Sequence, residues 1–201
     1  SLRLREGTVI VDGYAFLDAM FQLLYSTDAI PWIPYLIDQA SRGAFPEEQI
    51  YAVHDRSTWA TGMHHAIWCR EEMAFESEEE AFALAAELPP VFGEYFAGAY
   101  DWEVCAAWQA GTADPIENQA VASDIPTLVL SGRYDPVTPP ASGRQAAETL
   151  SNSFFYEFPN LAHGAMRSNS CALEIGLQFL DDPWTEPDTS CMEELGRPEF
   201  R

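Results

Sequence analysis

The sequence contains no lysine: all ten of its cationic side chains are arginine, set against 32 carboxylates, for a formal net charge of −22. The bias toward arginine is a matter of composition, and no function is read from it. The shortage of positive charge does carry information. Such a surface repels nucleic acid and anionic lipid, which excludes both as partners, and draws a free cationic amine toward any acidic cleft. Long apolar runs are also missing. The opening SLRLREGTVIVDG is interrupted by Arg3, Arg5 and Glu6, so it is neither a signal peptide nor a membrane span. The chain is therefore expected to begin inside a longer protein. Internal repeats and low-complexity linkers are absent, which leaves one compact unit as the expectation. Cysteine is sparse, and Cys69, Cys105, Cys171 and Cys191 lack the C-x-x-C spacing of metal sites and thioredoxin-like motifs. An even, widely spaced set points to disulfides and an extracytoplasmic location, with four buried thiols in a cytosolic protein as the alternative.

What is present is a globular composition, 47% apolar and 21% charged over 201 residues, enough for a real core. The first part of the chain reads as largely helical. Phe16, Leu17, Met20, Phe21 and Leu24 recur at helical spacing, and Pro31 and Pro34 open a second helix that stops at Gly43. Met63–Cys69 reads as an extended, buried strand leading into an acidic turn at Arg70-Glu71-Glu72. Ser77-Glu78-Glu79-Glu80 is a capping box that starts another helix, and Val91–Trp108 reads as one further helix crossing a core through Phe92, Phe96 and Trp102.

The texture changes at Ile125. Residues 125–130, Ile-Pro-Thr-Leu-Val-Leu, run without polar alternation, as in a strand covered on both faces of a parallel sheet. A helix over 140–150, a second β-rich run at Ser153–Phe158 and a last helix over 168–180 follow, the last expected to pack on the sheet through Leu173, Leu177 and Leu180. Strand, helix, strand is a βαβ unit. The fold class is thus α/β, with residues 1–124 as a mostly helical cap region and its flanking strand, and 125–201 as core segment and tail.

In open α/β sheets, catalytic groups sit on loops beyond the carboxyl ends of strands. Two loops fit: 131–140, which carries Asp135, and 160–164, which carries His163. Taken alone, Asp135 reads as a turn aspartate before proline, and His163 as a loop histidine beside a turn glycine. Taken together, on successive strand ends, they supply the carboxylate and imidazole that a catalytic triad requires, in the order Asp then His.

The stretch IPTLVLSGRYDPVTPPASGRQAAETL, then FFYEFPNLAHG, then SCALEIGLQFLDDPWTEPDTSC, resembles the C-terminal region of secreted bacterial α/β-hydrolases of the tripeptidyl-aminopeptidase and proline-iminopeptidase type. The resemblance covers Ile125–Cys191 and extends more weakly upstream through Gly62-Met63, residues 69–72 and residues 105–108. It implies a serine exopeptidase acting on free N-termini, with carboxylates near the cap-flanking segment, Glu71 or Glu72, holding the substrate's ammonium group. A solvated acidic turn is the competing reading of that pair, and Glu71 fits binding better than Glu72. The sequence departs from the family in having no G-x-S-x-G nucleophile elbow. This chain is therefore expected to be an inert C-terminal fragment whose partner is the missing N-terminal segment or a second copy of itself. Its substrate would be a peptide or small ester, with no cofactor. An esterase on the same fold and a non-catalytic binding module are the alternatives.

His64 and His65 suggest no metal site, because adjacent strand residues point to opposite faces. Tyr95, Phe96, Tyr100, Trp102 and Trp108 read as core sooner than as a substrate pocket. For the cysteines, Cys171 is expected to pair with Cys191, tying the final helix to the proline-rich tail. Cys69 with Cys105 then follows by elimination.

Overall fold

The computed structural model describes residues 2–3, 10–44, 60–98 and 100–201. They fall into two compact units. One holds the described residues of 10–17 and 60–119, the other those of 18–44 and 120–201. Each is considered by itself. Residues 18–44 thus group with the C-terminal segment.

The second unit is organised by two parallel strands, β3 (Thr127–Gly132) and β4 (Ser153–Phe158), which follow two-residue strands β1 (Leu2–Arg3) and β2 (Ile10–Val11) in chain order. Their register runs from Thr127 opposite Ser153 to Gly132 opposite Phe158. Parallel pairing demands a crossover, supplied by a helix (Pro140–Ala147) whose first residue is proline, a position where the missing N–H costs nothing. Beyond β4 come a single turn (Ala165–Ser168) and the long final helix (Ser170–Asp181). The long helix is capped by Asn169, whose side-chain oxygen accepts from the amides of Cys171 at 2.9 Å and Ala172 at 3.4 Å.

That helix packs through a different face from the one the leucine spacing suggests. Leu173, Leu177 and Leu180 are exposed, the last by 68%. The core is instead made of Phe158, Leu161, Ala165, Cys171, Ala172 and Ile175, with Leu128, Leu130 and Tyr156 against it. Two helical stripes were available, and the one with smaller residues allows the closer approach. The Cys171–Cys191 disulfide is formed and draws Met192 and Leu195 of the tail onto the same cluster.

Residues 18–44 carry the end of α1 (Gly13–Leu23), a 3-10 turn (Ile30–Trp32) and α2 (Ile33–Ser41), which ends before Gly43 at φ 77°. Left-handed backbone there suits glycine, and the helix stops where the sequence predicts.

In the first unit two expectations fail. Met63–Cys69 is helical: α3 (Thr61–Ile67) continues as a π-helical turn (Trp68–Glu72) and a 3-10 turn (Met73–Phe75). A short apolar run is ambiguous between strand and helix, and this one holds a single β-branched residue, Ile67, beside the helix formers Met63 and Ala66; nor is it buried, Met63 being 65% and Ile67 47% exposed. The span 91–108 is not one helix but α5 (Pro90–Gly98) and α6 (Trp102–Trp108), with α4 (Glu78–Ala85) before them. The helix α5 carries Gly93 in its interior and has Gly98 as its last residue. Phe92 and Phe96, and also Trp108, are 41%, 45% and 44% exposed, so they are not core, while Trp102 is half-buried. The start of α4 is as expected, the Ser77 hydroxyl accepting from the Glu80 amide at 3.3 Å. The Cys69–Cys105 disulfide joins the π-helical turn to α6.

Candidate active site

Asp135 lies three residues beyond the end of β3, in a turn closed by its own amide donating to the Gly132 carbonyl at 3.1 Å. Its side chain is 5% exposed yet fully engaged. Oδ1 accepts from the amides of Val137 at 2.8 Å and Thr138 at 2.9 Å, and Oδ2 accepts from the Thr138 hydroxyl at 2.8 Å. Burial, the largest single influence, pushes the carboxyl up. The Thr138 amide, the Val137 amide, the Thr138 hydroxyl and His163 together outweigh it and hold the group below its ordinary value. The carboxylate is therefore ionised and fixed in orientation.

His163 lies five residues beyond the end of β4. The two loops are stitched together by backbone bonds, Arg133 N–H to the Phe158 carbonyl and Tyr134 N–H to the Leu161 carbonyl, each 3.0 Å. Thr27 adds a third support, its hydroxyl accepting from the Ala162 amide at 3.1 Å. Leu161 and Ala162 are fully buried, so the segment that presents His163 is anchored in the core. On the other side Gly164 adopts φ 80°, a left-handed conformation that lets the chain turn into the next helix directly after the histidine.

These constraints bring the imidazole onto the carboxylate. His163 Nδ1 is 2.9 Å from Asp135 Oδ2 and 3.1 Å from Oδ1. Both oxygens belong to an ionised group that only accepts, so Nδ1 carries the proton and donates it to the pair. In the neutral ring Nε2 then holds a lone pair. It makes no hydrogen bond to a described residue, and the side chain is 41% exposed. The arrangement can take a proton at Nε2 and stabilise the resulting imidazolium with a pre-oriented, buried carboxylate.

Three neighbours, Thr138, Thr27 and Tyr25, support the pair. Thr138 sits three residues after Asp135, the spacing of a side-chain-capped turn, and that signal is legible. Thr27 and Tyr25 carry no such signal. Tyr25 packs its ring edge-on against His163, centroids 5.4 Å apart and planes at 69°, and Phe21 packs on Tyr25 in turn. Burial and then the nearby Asp135 charge raise the Tyr25 phenol. Only tertiary folding brings residue 25 to the histidine.

Glu71 and Glu72 belong to the first unit. They lie on the π-helical turn rather than at a strand end, both exposed and without an ion pair or hydrogen bond to a described residue. Nearby in the same unit, His64, His65 and Asp101 converge, with one ligand atom from each lying within 4.8 Å of the others. Among the described residues, no helix is long and apolar enough to cross a membrane. The two disulfides are compatible with an extracytoplasmic protein.

A family model described as TAP-like protein matches residues 89–191, just over half of the chain. The matched span includes Asp135, His163 and three of the four disulfide cysteines, and it leaves out Glu71 and Glu72. No curated protein and no solved structure matches the chain.

Proposed function

Because this chain belongs to the TAP-like family of α/β-hydrolases, we propose that Asp135 and His163 are the acid and base of a Ser-His-Asp triad. Its serine would be contributed by sequence outside these 201 residues, and the assembled enzyme would be an exported aminopeptidase. The observation that carries this reading is the 2.9 Å contact from His163 Nδ1 to a buried carboxylate, with Nε2 left to face a nucleophile. In the reaction, Nε2 removes the serine proton as the hydroxyl attacks the scissile carbonyl, and returns it to the leaving amine. Asp135 holds the ring in the Nδ1–H tautomer and stabilises the imidazolium, remaining ionised throughout. Thr138 and the two turn amides keep the carboxylate from rotating away.

The absence of a G-x-S-x-G elbow supports assigning the nucleophile, and the oxyanion-hole amide that follows it, to another segment. The strong negative charge favours a substrate with a free ammonium group, and Glu71, ahead of Glu72, is the carboxylate assigned to it. The test compares this chain alone with a polypeptide that also carries an upstream G-x-S-x-G segment. The chain alone should show no fluorophosphonate labelling. The longer protein should hydrolyse aminoacyl p-nitroanilides, and Asp135→Asn, which leaves the ring in the wrong tautomer, should lower kcat by about 10⁴. Stoichiometric labelling of the chain alone, or an Asp135→Asn enzyme with unchanged kcat, would overturn the assignment. Hydrolysis of simple esters with no response to a free N-terminus would redirect it to an esterase.

A further inference from the structure

The expectation that His64 and His65 cannot share an ion rested on strand geometry, and the segment is a helix. Successive residues on a helix differ by about 100° in direction rather than by a half-turn, so neighbours can converge on one point. Here they do: the two imidazoles have centroids 5.2 Å apart and are tilted by 57°. Asp101, immediately before α6, completes the group, and ligand atoms of all three side chains lie within 4.8 Å of one another.

Three independent features set this cluster apart from a chance gathering of surface groups. First, it is not purely acidic, and its members are half-buried; the His65 side chain is only 15% exposed. Second, His65 Nδ1 is buried and has no hydrogen-bond partner. It lies 3.6 Å from Asp101 Oδ2, too far for a hydrogen bond and suited to a shared third atom between them. Third, the rings and backbones are already held. His64 stacks on Trp68 with planes 15° apart, and His65 lies tilted against Trp108. The Cys69–Cys105 disulfide, with Cα atoms 5.0 Å apart, sits four residues beyond both His65 and Asp101. The Cys105 amide donates to the Asp101 carbonyl at 2.8 Å, which makes that spacing one helical turn. The covalent bridge thus fixes the two elements from which the three side chains project.

We propose that His64, His65 and Asp101 form a binding site for a divalent transition-metal cation of the zinc class, cross-linking α3 to the start of α6 beside the Cys69–Cys105 disulfide. A tetrahedral ion bound at 2.0–2.1 Å needs ligand atoms roughly 3.3 Å apart, close to the 3.6 Å already found between His65 Nδ1 and Asp101 Oδ2, with His64 moving in to complete the set. Two imidazoles and one carboxylate select zinc, cobalt or nickel over calcium and magnesium, which prefer all-oxygen sets. Three protein ligands leave a fourth position for water. No thiol competes, since both cysteines nearby are disulfide-bonded, and the net charge of −22 favours cation capture.

The experiment titrates the disulfide-intact 201-residue chain with Co²⁺, read by its visible d–d absorption, and with Zn²⁺, read by calorimetry. One ion per chain is expected, displaced by zinc and not by excess Ca²⁺. His64→Gln and His65→Gln should each weaken binding at least tenfold, as should Asp101→Asn, while His163→Gln leaves it unchanged. Zn²⁺ should also protect the continuous helical segment 61–72 from proteolysis. Lack of saturable binding, or binding undiminished in both histidine variants, overturns the proposal. Loss of binding in His163→Gln does so as well, by moving the ion to the triad. The two histidine variants decide the matter should Asp101→Asn lose its fold, checked by far-UV circular dichroism and non-reducing peptide mapping.

Discussion

Gly132 is the position where fold and site are most tightly coupled, and replacing it with alanine tests that coupling. It is the last residue of β3, and a Cβ placed on it would meet the Ala162 carbonyl oxygen at 2.1 Å and the Leu161 carbonyl oxygen at 2.6 Å. Cβ atoms essentially never come within 3.0 Å of such neighbours, so the 161–162 backbone must retreat by about 0.9 Å. That backbone cannot yield cheaply, because Leu161 and Ala162 are fully buried and bonded to Tyr134 and Thr27. Overpacking of this kind costs roughly 1–3 kcal/mol. Residue 163 follows directly, so a shift of the same size lengthens its 2.9 Å contact with Asp135 by as much as that amount, enough to break the hydrogen bond when directed away from the carboxylate. Gly132→Ala should therefore lower the urea midpoint and also remove the downfield imidazole Nδ1–H resonance expected of the hydrogen-bonded Asp135–His163 pair. Both readouts are needed, since a destabilised protein with an intact resonance would mean that strain was absorbed elsewhere. A variant with unchanged midpoint and unchanged resonance would refute the claim that a side-chain-free residue at 132 lets the acid and base loops meet.

Removing the second disulfide by Cys171→Ala with Cys191→Ala opens a 20-residue loop, which in the chain-entropy model costs about 3 kcal/mol. Met192 and Leu195 should leave the core and the tail should become the first site of proteolysis; an unchanged denaturation midpoint and digestion pattern would contradict this. Tyr156 provides a pH test: burial, then the Glu186 charge and a 3.2 Å hydrogen bond to Glu186, raise its phenol to about 12. A raised acid favours its protonated form in the folded state. Its contribution to stability is therefore complete below the unfolded value near 10 and disappears as pH rises to about 12. Phenolate absorbance should show a tyrosine ionising near pH 12, and Glu186→Gln should bring it earlier; no change in that variant would show that burial alone sets the value.

Much of the second unit was legible because its local signals agree with its tertiary structure. The unbroken apolar run before Ser131 and the aromatic run Ser153–Phe158 have few alternatives as segments, and parallel pairing follows from the helix between them. The first unit was less legible. Met63–Cys69 reads as a strand from its apolar residues, yet it is a largely exposed helix in which only Cys69 is buried, and its single β-branched residue was the local signal against a strand. The final helix shows the same limitation within a correctly placed element. Its leucines form a plausible stripe, yet Ala172, Ile175 and Gly176 win the core because a small-residue face approaches Phe158 and Leu161 more closely.

The candidate site divides along the same line. The meeting of Asp135 with His163 was readable because each follows a strand end of one βαβ unit, so position along the chain already places them side by side. Their supports were unreadable in proportion to their distance along the chain. Thr138 belongs to the same turn as Asp135, whereas Thr27 and Tyr25 reach the histidine only through tertiary packing of a segment that the sequence assigned to a cap. The pair His64-His65 shows how a local misreading reaches chemistry. Treating the segment as extended put the two rings on opposite faces and excluded a shared ion, while a helix of the same composition turns them toward Asp101. Secondary structure is thus a premise of any argument about ligand convergence. Where a short apolar segment leaves it ambiguous, the chemistry of adjacent side chains is equally undetermined until packing fixes the backbone.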